Sequence, residues 1–128
     1  MDTDLERPKG GHLLPQKHIL LVEDEDHFRK MVALMLKRLG YLVQEASSGE
    51  EALRLAQVNP EKIDLLMTDV LMPGMSGREL AELLQSRDAA MKVLFLSGHP
   101  IHLQAAFLQK PFTVDAVSKK LREVLDLR

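Results

Sequence analysis

The chain has no cysteine among its 128 residues. That excludes a disulfide framework and any thiolate metal site, and makes a reducing cytosol the natural setting. It also lacks a strong excess of either charge: 17 Lys and Arg stand against 19 Asp and Glu, a formal net charge of -2. Acids and bases are mixed along the chain, so no basic face is available to grip nucleic acid through its phosphates, and direct nucleic-acid binding is not expected. Long hydrophobic runs are missing too. The opening MDTDLERPKGGHLLPQK is polar, with two prolines and a glycine pair, and lacks the apolar stretch of a signal peptide. No later segment approaches a membrane span, and no membrane partner is expected. Internal repeats, low-complexity segments and the phosphate-cradling glycine loops of P-loop or dinucleotide type are likewise absent.

A hydrophobic content of 45% in a chain of this length is enough for the core of one compact domain. Pro8, Gly10, Gly11 and Pro15 break any helix that could start early, so residues 1–16 read as a flexible leader and 17–128 as the domain. Short apolar runs at 19–22, 63–67 and 93–96 alternate with segments of helical period. Runs apolar on both faces suggest buried parallel strands. Phe28, Met31, Val32, Met35, Leu36 and Leu39 form one helical stripe that ends at Gly40. A weaker strand follows at 41–46, then a helix over about 50–57 stopped by Asn59 and Pro60, another over 77–87, and a last one marked by Val114, Val117, Leu121 and Val124. Strict alternation of strand and helix implies an open, doubly wound parallel sheet, in which ligands sit beyond the carboxyl ends of the strands.

The strand ends therefore carry the functional argument. They present Glu23-Asp24, Asp69, Ser97 and Lys110-Pro111, all on one rim. Three carboxylates brought together repel and raise one another's pKa unless cations neutralise them. Lys110 supplies one charge and a divalent ion could supply the rest. An all-oxygen site without His or Cys suits Mg2+, and zinc is disfavoured. A carboxylate beside Mg2+ and a lysine is equipped to attack phosphorus, with Asp69 as nucleophile and the Ser97 hydroxyl bonding to the product.

The segments LLVEDE, TDVLMPGMSG, FLSG and FLQKPF, in that order from about Lys17 to the C-terminus, resemble the signatures of response regulator receiver domains of two-component signalling. Glu23 in place of the commoner Asp resembles receivers related to hybrid histidine kinases. The resemblance implies a flavodoxin-like five-stranded sheet of order 2-1-3-4-5. It implies phosphorylation of Asp69 by a histidine kinase or histidine phosphotransfer protein, with Mg2+ held by Glu23 (through a bound water), Asp24, Asp69 and the main-chain carbonyl of Leu71. Asp69, Ser97 and Lys110 would be the catalytic set, and Ser97 and Phe107 the switch pair that moves when the phosphoryl group arrives. Such a chain is a cytoplasmic signalling domain that assists its own phosphorylation and dephosphorylation, not an enzyme acting on an outside substrate. The resemblance also implies a cis bond between Lys110 and Pro111, where the general preference before proline is trans.

Blander readings accompany the sharp ones. Asp24 or Asp26 could simply cap the helix at Phe28, Lys110 could be a surface lysine, and Ser97-Gly98 a turn. The histidines at 12, 18, 27, 99 and 102 show no ligand spacing and read as surface or structural, and Met72 and Met75 as packing under the active-site loop. Leu71 and His99 flank the reaction site and would tune the lifetime of the acyl phosphate. A receiver-like interaction module that is never phosphorylated is the alternative function, against which the full set of acidic, hydroxyl and lysine groups argues. An Asp-nucleophile phosphatase is disfavoured because Asp69-Val70-Leu71 lacks a second acid.

One departure from the family stands out. Nine residues separate Ser97 from Phe107, about half the usual number. With a last strand over roughly 105–108, a return of about seven residues reaches at most about 25 Å against roughly 17 Å of strand to retrace. The fourth helix is therefore expected to be shortened or absent. A homodimer, including one that swaps the C-terminal strand and helix, is the other way to relieve the constraint.

Overall fold

The computed structural model describes residues 16–58, 61–98 and 105–126. Strand β1 spans His18–Val22, helix α1 Asp26–Arg38, β2 Leu42–Ala46, α2 Gly49–Val58, β3 Leu65–Asp69, α3 Gly77–Arg87, β4 Lys92–Ser97, β5 Phe107–Gln109 and α4 Val114–Val124. The strands form one parallel sheet in the order β2-β1-β3-β4-β5. This is the doubly wound sheet expected from the strand and helix alternation, in the flavodoxin-like order that the family resemblance implies.

The pleat divides the apolar runs between two cores. Ile19 and Leu21 of β1, Leu65 and Met67 of β3, and Leu94 and Leu96 of β4 face Val32, Ala33 and Leu36 of α1 and Val117 and Leu121 of α4. Leu20, Val22, Leu66 and Phe95 point to the opposite face and meet Ala52 of α2 and Leu80, Ala81 and Leu84 of α3. Burial on both faces is why these strands read as continuous apolar runs rather than as alternating ones. Met72 joins the second core and Met75 packs against it, as their reading beneath the loop anticipates.

Helix ends follow local chemistry. Gly40 takes φ +100, and the Tyr41 amide bonds the Leu36 carbonyl at 3.1 Å while the Gly40 amide bonds that of Lys37 at 3.0 Å. That is a Schellman stop needing the left-handed backbone that glycine supplies. Ser76 and Glu79 form a reciprocal capping box at the start of α3. At α1 the cap is Glu25, not Asp24 or Asp26. Glu25 has extended backbone and accepts the Phe28 amide, while Asp26 already lies inside the helix and pairs with Arg29 at 2.8 Å. The stripe on α1 holds except at one position: Phe28, Val32, Met35, Leu36 and Leu39 lie in or against the core, but Met31 is 47% exposed, and Arg29 takes a place on the buried side with Val32, Ala33 and Leu36.

The leader, apart from Gln16, and residues 99–104 of the β4–β5 connection lie outside the described residues, and so does most of the expected short or missing fourth helix. Gly98, Ala105 and Ala106, which flank that stretch, are not helical. β5 begins at Phe107, later than expected, because Ala106 serves as a lead-in whose carbonyl accepts the Phe95 amide at 3.0 Å. β5 pairs with β4 of the same chain, so closure of the sheet does not require a second copy. No helix among the described residues is long and apolar enough to cross a membrane.

Candidate functional site

β1 and β3 are neighbours at the point where strand order reverses, and the site lies beyond their carboxyl ends. Leaving β1, the chain places Glu23 almost wholly in the interior, 1% exposed, and Asp24 in solvent. Asp69 ends β3 with its side chain 13% exposed. One carboxylate oxygen from each of Glu23, Asp24 and Asp69 lies within 4.8 Å of the others. Lys110, from the loop after β5, brings its Nζ to 2.7 Å from Glu23 Oε1 and 3.3 Å from Asp69 Oδ2.

Ser97 closes β4 at the same end and is buried, and its carbonyl accepts the Lys110 amide at 2.7 Å, tying the hydroxyl residue and the lysine to one strand end. Phe107 is half-buried opposite Phe95 and packs against the second core. Leu71 is 77% exposed, with its side chain turned to solvent beside Asp69. His99 lies outside the described residues, as do His12 and His102. Buried His18 sits at the other end of the sheet, where its Nδ1 lies 3.2 Å from the Lys62 carbonyl, a structural role. The Lys110-Pro111 bond is cis.

Backbone contacts hold this rim. The Thr68 hydroxyl donates to the Asp69 carbonyl at 3.0 Å, and the amides of Val70 and Gly77 bond the carbonyls of Leu96 and Val70. Gly77 is needed because a Cβ there would overlap the Asp69 carbonyl oxygen. Arg29 was not singled out from the sequence. Its Nη1 donates to the Glu23 carbonyl at 2.9 Å and its Nε to Glu45 at 3.1 Å, so one buried guanidinium pins the turn carrying the acid pair to β2. The signal was its spacing: an arginine at three, four and seven residues before Val32, Ala33 and Leu36 shares the face those apolar residues bury.

Electrostatics follow from this crowding. Burial raises the pKa of Glu23, against the pull of the Lys110 and Glu25 hydrogen bonds, and the Asp69 charge adds to the rise. Burial also raises that of Asp69, opposed by Lys110 and reinforced by Asp24. For Lys110, burial acts downward but is outweighed by Glu23 and Asp69, and its pKa is raised. Three carboxylates and one ammonium leave two negative charges among oxygen donors only, a match for a hard divalent ion that keeps part of its water shell.

A pH dependence follows. Because Glu23 and Asp69 hold their protons more tightly folded than unfolded, their contribution to stability is full below the ordinary carboxyl range and is lost as pH rises through their raised folded values. In metal-free buffer, Asp69→Asn should therefore gain on the wild type in melting temperature as pH rises from about 4 to about 7. A difference between the two melting curves that does not change with pH would contradict the assignment.

Comparison with known proteins agrees with this geometry. A family model described as the response regulator receiver domain matches residues 19–124. The sensor kinase CckA of Brucella abortus is 34% identical over 92% of this chain, which spans 13% of that protein. The response regulator receiver protein CpdR of the same organism is 37% identical over 64% of this chain and 67% of its own length. Among solved structures, the receiver domain of the hybrid histidine kinase CckA superposes with a TM-score of 0.76 at 39% identity, covering 84% of this chain and 98% of that one. The chemotaxis protein CheY4 of Vibrio cholerae superposes with a TM-score of 0.78 at 29% identity, covering 86% and 99%. With sheet order, rim chemistry and sequence similarity in agreement over most of its length, the chain belongs to the response regulator receiver domain family.

Proposed function

We propose that the chain is a phosphoacceptor of a two-component phosphorelay, taking a phosphoryl group onto Asp69 from a histidine kinase or a histidine phosphotransfer protein. The observation that carries this reading is the ammonium of Lys110 shared between Glu23 and Asp69, with Asp24 beside them. In the transfer, an Asp69 carboxylate oxygen attacks phosphorus, the bond from phosphorus to the donor's imidazole nitrogen breaks, and the imidazole leaves as the acyl phosphate forms. Lys110 re-aims an N–H toward the phosphoryl oxygens as their charge approaches Asp69. Glu23, Asp24, Asp69 and the Leu71 carbonyl would hold Mg2+, which when bound supplies charge neutralisation at the phosphoryl oxygens.

The buried Ser97 hydroxyl is at the right strand end to bond the product, and Phe107, packed beside Phe95, is the ring that would move with it. The domain thus assists its own phosphorylation and dephosphorylation in a cytoplasmic setting.

Incubation with Mg2+ and acetyl phosphate or phosphoramidate, followed by intact mass measurement, tests this directly. A single added phosphoryl group is expected, missing both in Asp69→Asn and without Mg2+. No addition under conditions that label an ordinary receiver would leave only a receiver-shaped interaction module.

A further inference from the structure

Lys110 has a third neighbour that the proposed chemistry does not use. Its Nζ lies 4.7 Å from the centroid of the Phe28 ring, over the ring face, and the Phe28 ring packs edge-to-face with Phe112 at 5.6 Å between centroids and 71° between planes. We propose that Phe28 is a positioning residue for Lys110, its ring face holding the ammonium at the rim in the pose from which it serves phosphoryl transfer to Asp69. The proposal rests on the phosphoacceptor reading and adds to it a residue of α1 that acts through Lys110.

The physical case begins with the lysine. Its stem is flexible and its ammonium a strongly hydrated point charge with three donors, so something must keep it from swinging out to water. Glu23 and Asp69 engage it. A third carboxylate would hold it more firmly, but would add negative charge where an anionic phosphoryl group must arrive. An aromatic face attracts a cation through its quadrupole while carrying no net charge. It also makes no conventional hydrogen bond, so the ammonium can turn a donor toward the incoming oxygens without first breaking one.

The ring itself is well placed to act as a fixed surface. The Phe28 amide bonds Glu25 Oε1 at 2.7 Å in the first turn of α1, and the side chain rests against the first core. Phe112 follows Lys110 by two residues, so the aromatic pair links the start of α1 to the loop that carries the lysine. A purely structural Phe28 would need only bulk; the ring face under Nζ asks for electron density as well.

Replacing Phe28 with 4-fluoro-, 3,5-difluoro- and 3,4,5-trifluorophenylalanine separates the two roles, because fluorine weakens the quadrupole with little change in shape. The readout is the initial rate of Asp69 labelling by phosphoramidate with Mg2+. The wild-type rate tests the phosphoacceptor reading; the gradient across the series tests the role of Phe28. We expect a monotonic fall reaching about three- to tenfold for the trifluoro ring, with Phe28→Leu at least as slow. The gradient should persist in a Phe112→Leu background, since the ring under the ammonium is that of Phe28, not Phe112.

A second measurement does not depend on labelling. In 13C-lysine protein the ε-methylene signal missing from Lys110→Met should lie upfield in the wild type from the ring current of Phe28, and return to the ordinary lysine position in Phe28→Leu. A flat rate across the fluorine series, loss of the gradient without Phe112, or an unshifted Lys110 signal would each overturn the proposal.

Discussion

Gly77→Ala is expected to destabilise the protein by about 3 kcal/mol, the upper end of ordinary overpacking, and to slow Asp69 labelling by at least about tenfold. A Cβ at this position overlaps the Asp69 main-chain carbonyl, which cannot give way as the end of a flexible side chain can. That carbonyl is also held by the Thr68 hydroxyl, and the Gly77 amide is bonded to Val70. The strain therefore falls on the backbone that aims the nucleophile. Gly98→Ala is the control for stability, since a Cβ there meets nothing within 4 Å; it should stay within about 0.5 kcal/mol of the wild type. Urea unfolding of the two variants, alongside labelling of Gly77→Ala, checks both halves. A Gly77→Ala protein as stable and as rapidly labelled as the wild type would show that the close approach of α3 to the Asp69 loop is not what constrains the site.

Lys110→Met should slow labelling by phosphoramidate about a hundredfold, the scale of losing one preorganised charge-stabilising donor. It should also destabilise the metal-free protein by about 2–3 kcal/mol. That is less than the about 3–5 kcal/mol of breaking a fully buried pair, because the lysine side chain is 21% exposed while that of Glu23 is 1% exposed. Without the ammonium, Glu23 is a buried carboxyl with Asp69 as a like-charged neighbour. Glu23→Gln in the Lys110→Met background should recover most of the stability and none of the labelling rate. If the double variant unfolds as readily as Lys110→Met alone, the loss comes from the packing of the methylene stem rather than from the stranded charge.

Much of the fold was legible because its signals are local. The period of 3.6 with Gly77 at one end and Arg87 at the other marks α3 to the residue. The two-faced apolar runs mark the central strands, and Gly40 marks the stop of α1. Signals failed where neighbouring residues offered equivalent chemistry. Three acids, Asp24, Glu25 and Asp26, could each cap α1, and the choice of Glu25 depends on which one has extended backbone as the chain leaves β1. Met31 belongs to the apolar stripe by spacing yet is exposed, because Arg29 takes the buried side to reach the Glu23 carbonyl and Glu45.

The sequence by itself determined which chemical groups end or follow four of the five strands: an acid pair, a lone aspartate, a hydroxyl and a lysine, placed on the rim by the strand and helix alternation. That much is a property of neighbours along the chain, since strand ends and helix faces repeat over a few residues. Only the tertiary structure decided how those groups meet. Lys110 and Glu23 are 87 residues apart in sequence, and the sharing of one ammonium between two carboxylates and a phenylalanine ring depends on strand order and side-chain rotamers. The reach of Arg29 across to β2 and the lack of room for a Cβ at Gly77 are of the same kind. Contacts between distant segments are set by three-dimensional packing, and no spacing along the chain encodes their distances.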